Sequence, residues 1–313
     1  MTTPTRRRST SRVAGIAVLL ALALTATLTV AGCSDSEADP AGPLPTPSTT
    51  RSVTPAVDPA YETYVALGDS YTAAPLVPAT DTSNGCLRST NNYPSLVAAA
   101  TPGTTLVDVS CSGADSASLI GVQKTGSGPQ PPQFDALTTD TDLVTVGIGG
   151  NDFHLFGTLV GVCSKLRDSD PKGAPCKEHL SSGGSDRLTR ALPQIRAHVT
   201  AIVEGIRNRA PKARVLVVGY PQILPATGTC PQLMPLATGD YAYARRILEG
   251  LADAVEQGAK AAHGEYVDLF PATAGHDMCA DDPWINGQHT DTSRALAFHP
   301  FAAEQEKAAE LVL

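Results

Sequence analysis

Positive charge is scarce over most of this 313-residue chain, whose formal net charge is −8. The first 32 residues hold four arginines and no acidic residue, so the rest of the chain is more acidic than the total suggests. An acidic body argues against nucleic acid as a partner, because nothing in it would offset the repulsion of the phosphates. With 42% hydrophobic and 17% charged residues, the chain is nevertheless globular rather than disordered as a whole.

Two kinds of cofactor motif are also missing. The sequence has no CxxC pair and no closely spaced cluster of cysteine and histidine, so we expect no metal site. It has no GxGxxG motif opening a helix, which excludes the dinucleotide-binding fingerprint. We therefore expect neither a metal nor an organic cofactor.

The N-terminal 32 residues have the pattern of an export signal. Residues 5–12 are basic, Val13 to Val30 form an apolar run, and small residues precede Cys33. The ending Val-Ala-Gly-Cys resembles a lipobox, which predicts acylation of Cys33 and a lipoprotein held on the outer face of the cytoplasmic membrane. A membrane-spanning anchor is the alternative, since 18 apolar residues are nearly enough to cross a bilayer. Both interpretations place the body outside the cytoplasm.

Residues 33–59 predict a tether between this signal and a single domain over residues 60–313. From Ser34 to Pro59, 14 of 26 residues are proline, serine or threonine. Such a segment buries too little apolar surface to offset the entropy of ordering it. It therefore predicts a semi-extended spacer that lifts the domain off a membrane.

Six cysteines remain in the body: Cys86, Cys111, Cys163, Cys176, Cys230 and Cys279. An even number of cysteines in an exported protein predicts three disulfides. Six thiols allow 15 pairings, and the residues alone do not choose among them.

Short apolar runs alternate with helical patterns along the body. The five runs are Thr63 to Leu67, Thr104 to Val109, Leu143 to Ile148, Arg214 to Gly219 and Glu265 to Phe270. Several are continuous rather than alternating, which favours parallel strands covered on both faces. The order predicts a three-layer α/β fold in which ligands bind beyond the carboxyl ends of the strands.

Three helices are predicted between and after the later strands. Apolar residues from Leu188 to Ile206 recur at helical spacing, with the regular helix expected to begin near Pro193. A second helix is expected to begin with Asp240 as its N-cap, and a third to follow Pro300. The stretches 75–92, 153–184 and 221–239 are predicted to be long loops.

Four candidate catalytic residues occur where strands end or the last helix begins: Ser70, Gly113, Asn151 and His299. A serine hydroxyl becomes a nucleophile when a base lies nearby, and histidine is the commonest such base. Each position also has an ordinary structural explanation, because serine caps helices and glycine and asparagine favour turns. Their joint occurrence in this order favours a catalytic site.

Together, Gly68-Asp69-Ser70, Gly113, Gly149-x-Asn151-Asp152 and His299-Pro300 resemble the SGNH hydrolases, also called GDSL esterases and lipases. Secreted actinobacterial members with three disulfides are the most similar. The resemblance implies an α/β fold: a single-domain α/β/α sandwich, flavodoxin-like, with a five-stranded parallel sheet. It also implies the pairings Cys86–Cys111, Cys163–Cys176 and Cys230–Cys279.

The resemblance implies a role for each residue of the site. Ser70 attacks an ester carbonyl, and His299 accepts its proton and returns it to the leaving alcohol. The oxyanion hole consists of the backbone N–H groups of Ser70 and Gly113 and the side-chain amide of Asn151. No metal or cofactor takes part.

One position departs from the family pattern. Most members have an aspartate three residues before the histidine, where this chain has Leu296. We therefore predict a Ser–His dyad in which the backbone carbonyl of Leu296 orients the imidazole; a carboxylate such as Asp291 or Asp282 on that nitrogen would contradict it. Trp284, the single tryptophan, is either a wall of the substrate pocket or a packing residue of its loop.

The sequence thus predicts an extracellular, membrane-tethered serine ester hydrolase, expected to be a monomer. The substrate class stays open among simple esters and lipids, phospholipid acyl groups, acetylated polysaccharides and thioesters. A non-catalytic binding lipoprotein with a degenerate esterase fold is the alternative of another class. An ester assay with a Ser70→Ala control separates the two.

Overall fold

The computed structural model describes residues 61–313. The predicted signal, Cys33 and the predicted tether lie outside the described residues. The strands are β1 Thr63–Gly68, β2 Thr105–Asp108, β3 Gln123–Thr125, β4 Gly128–Gln130, β5 Leu143–Gly147, β6 Arg214–Val218 and β7 Glu265–Val267. Five of them form a parallel sheet in the order β2-β1-β5-β6-β7, and β3 and β4 form a small antiparallel hairpin.

Helices cover both faces of this sheet. The α-helices are α1 Ser70–Ala73, α2 Tyr93–Ala100, α3 Leu155–Gly157, α4 Ser164–Leu166, α5 Pro175–Ser181, α6 Arg187–Arg209, α7 Asp240–Ala261, α8 Leu269–Ala272 and α9 Ala302–Val312. On β1, Val65 and Leu67 join the core that contains α6 and α7, whereas Tyr64 and Ala66 join the core beside α2 and α9. The predicted three-layer fold with a five-stranded parallel sheet is confirmed.

The sheet register sets the position of the candidate site. Within the β1–β5 pair, Gly68 lies opposite Gly147. The polypeptide therefore leaves both strands at the same level, so that the segments carrying Ser70 and Asn151 start side by side. This edge is the carboxyl edge, where parallel α/β sheets bind their ligands.

Two helices begin differently from the prediction. Helix α6 begins at Arg187 and contains Pro193, because the Asp186 carboxylate caps it by accepting from the Thr189 N–H at 2.6 Å. Buried residues before and after the proline pack as one stripe, which outweighs the lost hydrogen bond. Asp240 is the first residue of α7 rather than its cap, and its carboxylate instead accepts from two N–H groups at the start of α5, each at 3.0 Å.

The stretch 153–184, predicted to be a loop, is largely helical. It holds α3, a π-helical segment over Thr158–Cys163, α4 and α5. Leu155, Leu159 and Cys163 recur every four residues and are all buried, which is the helical signal that the prediction missed. None of the helices in residues 61–313 combines the length and apolar character that crossing a bilayer requires.

Three disulfides hold the segments around the carboxyl edge. The pairs are Cys86–Cys111, Cys163–Cys176 and Cys230–Cys279. They are the pairings that the family resemblance implies. Each closes a loop of the chain near the candidate site and so lowers the entropy of the unfolded state.

Candidate active site

Ser70 is the first residue of α1, directly after the turn that follows β1. Gly68 has φ +153°, and a Cβ there would lie 2.2 Å from the Thr72 hydroxyl oxygen and 2.8 Å from the Gly147 carbonyl oxygen. Only glycine fits this turn. The Asp69 carboxylate caps the helix by accepting from the Tyr71 N–H at 2.8 Å, and Ser70 opens onto the carboxyl edge.

A buried tyrosine, Tyr220, connects this turn to the segment that follows the neighbouring strand β5. The Tyr220 hydroxyl donates to Asp69 Oδ2 at 2.6 Å and accepts from the Gly150 N–H at 2.7 Å. Burial raises the pKa of Asp69 to about 7, against the lowering effect of the bonds from Tyr220 and the Tyr71 N–H. The residue before Ser70 and the residue before Asn151 are therefore fixed to one another.

Gly113 and Asn151 lie side by side. Asn151 Nδ2 donates to the Ala114 carbonyl at 2.9 Å, which leaves its second N–H for another acceptor. Gly113 has φ +79° in a turn closed by the bond from Ala114 N–H to the Cys111 carbonyl at 3.0 Å. Both residues line the same cavity as Ser70. The arrangement supplies amide donors from two separate segments.

Asp152 is a positioning residue that the sequence reasoning missed. Its buried carboxylate accepts from the N–H and the hydroxyl of Ser116, at 2.8 and 2.7 Å, and contacts His198 Nδ1 at 2.7 Å. It thereby ties the segment after Gly113 to the segment of Asn151 and to α6. The Asn-Asp pair in the sequence motif was the available signal for this role. An aspartate that is buried beside the site needs hydrogen-bond partners, and those partners fix the segments that carry them.

His299 is oriented by a backbone carbonyl, but not by the predicted one. Its Nδ1 lies 2.7 Å from the Ala297 carbonyl oxygen. The Leu296 carbonyl instead accepts from the His299 N–H at 3.2 Å, closing a turn in which Phe298 has φ +61°. That turn points the Leu296 oxygen along the backbone, so the prediction of Leu296 is wrong by one residue.

Neither carboxylate named as an alternative contacts the His299 ring. Asp291 accepts from Ser293, and Asp282 lies 3.3 Å from His276. Since the Ala297 carbonyl can only accept, the proton of neutral His299 resides on Nδ1 and its Nε2 is an acceptor. Burial lowers the pKa of His299 to about 4, against the raising effect of the Ala297 carbonyl, so the ring is neutral at pH 7.

Tyr71 connects the two ends of the site. Its hydroxyl donates to the Phe298 carbonyl at 2.8 Å, and its ring centroid lies 5.5 Å from that of His299. Tyr71, which follows Ser70, therefore holds Phe298, which precedes His299.

All four predicted residues line one cavity of about 270 Å³. Its walls are mainly apolar and include Phe156, Leu159, Val160, Ile223, Met234 and Leu248. Met234 and Leu248 lie on the segment closed by Cys230–Cys279, and Leu159 and Val160 come shortly before Cys163. The cavity can take an apolar chain whose polar end meets Ser70, His299 and the amide donors.

Trp284 is not among the residues that line this cavity. Its ring stacks on His276 at 3.8 Å between centroids and 12° between planes. The packing interpretation is therefore the correct one, because the stacking keeps the indole within its own loop. Among residues 61–313, no group of three or more histidine, cysteine or acidic residues is close enough to hold a metal ion.

Known proteins resemble this chain over most of the described residues. The sequence profile of the GDSL-like Lipase/Acylhydrolase family matches residues 66–306. The chain belongs to this family. Lipase 2 of Streptomyces coelicolor is 42% identical over 221 residues, covering 69% of this chain and 72% of that protein. A lipase of Streptomyces rimosus is 31% identical, covering 78% and 82%.

One solved structure is also similar to this chain. Phospholipase A1 from Streptomyces albidoflavus matches with a TM-score of 0.66 and 26% identity, over 80% of this chain and 98% of that one. The prediction that the chain is a carboxylic ester hydrolase of the GDSL type is confirmed.

Proposed function

We propose that this enzyme cleaves esters of apolar acyl chains through an acyl-enzyme on Ser70. The observation that carries the proposal is the convergence of Ser70, Gly113, Asn151 and His299 on one apolar cavity. These residues come from four segments that are far apart in the sequence. An apolar cavity beside a serine and a neutral histidine suits the acyl part of an ester substrate.

In the first step, His299 Nε2 accepts the proton of the Ser70 hydroxyl as its oxygen attacks the ester carbonyl carbon. The negative charge that develops on the carbonyl oxygen is stabilised by the N–H groups of Ser70 and Gly113 and by Asn151 Nδ2. His299 then returns the proton to the leaving alcohol. Water, deprotonated by the same histidine, releases the acid and restores Ser70.

The apolar walls favour aliphatic acyl groups over acetyl groups. Phe156, Leu159 and Met234 offer no hydrogen-bond partner to a sugar. Among the substrates that the sequence left open, simple lipid esters and phospholipid acyl groups fit this cavity better than acetylated polysaccharides. We also propose that the enzyme acts outside the cytoplasm as a monomeric lipoprotein held by Cys33, which suits its three disulfides.

A series of p-nitrophenyl esters from acetyl to palmitoyl tests the proposal. Activity should rise from acetyl to longer chains, and Ser70→Ala should remove it while Ser185→Ala, at an exposed serine, should not. Diisopropyl fluorophosphate should label Ser70 alone, as read by mass spectrometry of peptides. Equal rates in wild type and Ser70→Ala would overturn the mechanism and favour the binding lipoprotein.

A further inference from the structure

A second concave surface is lined in part by the segment that also contributes walls to the acyl cavity. This groove of about 370 Å³ is lined by Phe153, His154, Arg187, Arg190, Ala191 and Gln194. The same short segment contributes Phe156 and Leu159 to the acyl cavity. An Arg187 guanidinium nitrogen donates to the Thr158 hydroxyl at 2.7 Å, so the groove and the cavity share one wall.

The groove is basic although the chain as a whole is acidic. It contains two arginines and a histidine and no acidic residue. The carboxylates nearest in sequence are occupied elsewhere: Asp152 accepts from Ser116 and contacts His198, and Asp186 caps α6. Within residues 61–313, neither Arg187 nor Arg190 forms an ion pair. Apart from the bond that Arg187 donates to Thr158, both guanidinium groups therefore keep N–H groups for an external anion.

An exposed aromatic ring lies among these cations. Phe153 is 40% exposed, and its ring stacks on that of His198 at 5.4 Å. Phe153 and His154 both have left-handed backbone conformations, with φ +54° and +57°. Residues other than glycine rarely adopt this conformation, and here it holds a large apolar side chain at the surface. Exposure of phenylalanine between arginines is costly for solubility and useful at a lipid surface.

We propose that this groove docks the enzyme on an anionic phospholipid surface. Phe153 enters the boundary between headgroups and acyl chains, while Arg187 and Arg190 pair with phosphate oxygens, for which the guanidinium fork is suited. Asn151, two residues before Phe153, lines the acyl cavity. Docking here therefore brings lipid esters to the mouth of that cavity. Catalysis of those esters rests on the proposed function, but the docking itself does not.

A second apolar patch on the described surface offers a rival position. Ile120 is 68% exposed and Val122 is 62% exposed. The adjoining cavity contains Arg209, but its guanidinium lies over the Phe134 ring at 4.8 Å. That patch has more apolar exposure and fewer open cations than the groove. A site-specific reporter at each position distinguishes the two.

The test uses the full chain with Ser70→Ala, so that its result does not depend on catalysis, and with Trp284→Phe to remove the native fluorophore. One version carries Phe153→Trp and a second carries Ile120→Trp. Each is titrated with phosphatidylcholine vesicles containing phosphatidylglycerol and dibrominated acyl chains, which quench a tryptophan that enters the bilayer. Because the reporter is local, attachment through the N-terminal segment does not produce the signal.

We expect quenching of the position-153 reporter, with weaker quenching on pure phosphatidylcholine and at high salt. Adding Arg190→Gln should raise the half-saturating lipid concentration about fivefold, since a basic residue at an anionic surface contributes about 1 kcal/mol. Arg246→Gln, at an exposed arginine of α7, should change it less than twofold. Quenching at position 120 instead, no quenching at 153, or equal quenching on neutral vesicles would each overturn the proposal.

Discussion

The two sides of the active site are held by different chemistry. On the Ser70 side, buried carboxylates and a tyrosine, Asp69, Asp152 and Tyr220, fix the segments that carry the amide donors. On the His299 side, the ring is oriented by a neutral carbonyl, that of Ala297. In the proposed mechanism the amide donors keep their charge state, so a rigid frame suits them. His299, as the proposed base, becomes positively charged, and its nearest partner is only the dipole of the Ala297 carbonyl.

This difference shows which side depends on preorganisation. Amide donors stabilise an oxyanion only when their positions are fixed before charge develops, because reorientation would cost energy during the reaction. A carbonyl fixes the tautomer and direction of His299 without holding a charge in place. The low pKa of His299 agrees with this arrangement, since desolvation by the cavity walls exceeds the stabilisation that the carbonyl gives to imidazolium.

Removing the base should give the largest effect. His299→Ala should lower kcat on a p-nitrophenyl ester by about 10⁴-fold, because no other group at the site accepts the Ser70 proton. His289→Ala, at an exposed histidine of the same loop, is the matched control and should keep wild-type kcat. Substantial activity in His299→Ala would show that another residue is the base.

Removing one donor should have a smaller effect on the opposite side. Asn151→Ala should lower kcat by about 10²- to 10³-fold while KM changes little, because its amide binds the oxyanion rather than the ground state. Asn208→Ala, at an exposed asparagine of α6, serves as the control. A rise in KM with unchanged kcat would assign Asn151 to substrate binding instead.

The sequence predicts the donor side better than the base side, for a physical reason. Ser70, Gly113 and Asn151 follow strands, and parallel strands bring whatever follows them to one edge. His299 precedes a helix at the end of a long loop, so its direction depends on local turns. The positive φ of Phe298 decides that the Ala297 carbonyl, rather than that of Leu296, meets the imidazole. No pattern in the sequence encodes that choice.

Contacts between residues far apart in the sequence could not be predicted from it either. The Asp240 carboxylate caps α5, more than sixty residues away in the sequence. Trp284 stacks on His276 and does not line the cavity. Asp152 accepts from Ser116 and contacts His198. Each of these contacts depends on how separate segments pack. Helical spacing within 153–184, in contrast, was present in the sequence and could have been used.

The pH profile sharpens the comparison further. His299 must be neutral to accept a proton, and its pKa is about 4. The ring becomes protonated as pH falls through that value, so kcat/KM should stay level from pH 8 to 5 and then fall up to tenfold per unit below about pH 4. A carboxylate partner would raise the pKa of the histidine, so that on acidification kcat/KM would begin to fall at a higher pH.

Asp69 gives this experiment its control, because burial raises its pKa to about 7. The profile should be measured in wild type and in Asp69→Asn with a discontinuous assay of the released acid. A fall near pH 7 that disappears in Asp69→Asn would assign the titration to Asp69. A fall near pH 7 in both would contradict a weakly supported base.

Near Tyr71 lies a buried carboxyl group that takes no part in the proposed mechanism. Glu304, in the first turn of α9, accepts from Gln305 Nε2 at 2.6 Å, and the same nitrogen donates to the Tyr71 carbonyl at 2.9 Å. Burial raises the pKa of Glu304 to about 8, against the lowering effect of Gln305. The folded protein therefore keeps this group protonated where the unfolded chain has lost the proton. Its contribution to stability is greatest at acid pH and declines as pH rises from about 4.5 to 8.

Glu304→Gln should remove this pH dependence, because the amide stays neutral while its oxygen can still accept from Gln305. The difference in Tm between variant and wild type should grow in favour of the variant from pH 5 to pH 9, by roughly 5 °C or more. Asp69 shifts in the same direction but is present in both proteins, so its effect cancels. Glu306→Gln, at an exposed position of the same helix, should show no such trend. A constant difference across this range would mean that Glu304 is ionised in the folded protein as it is in the unfolded chain.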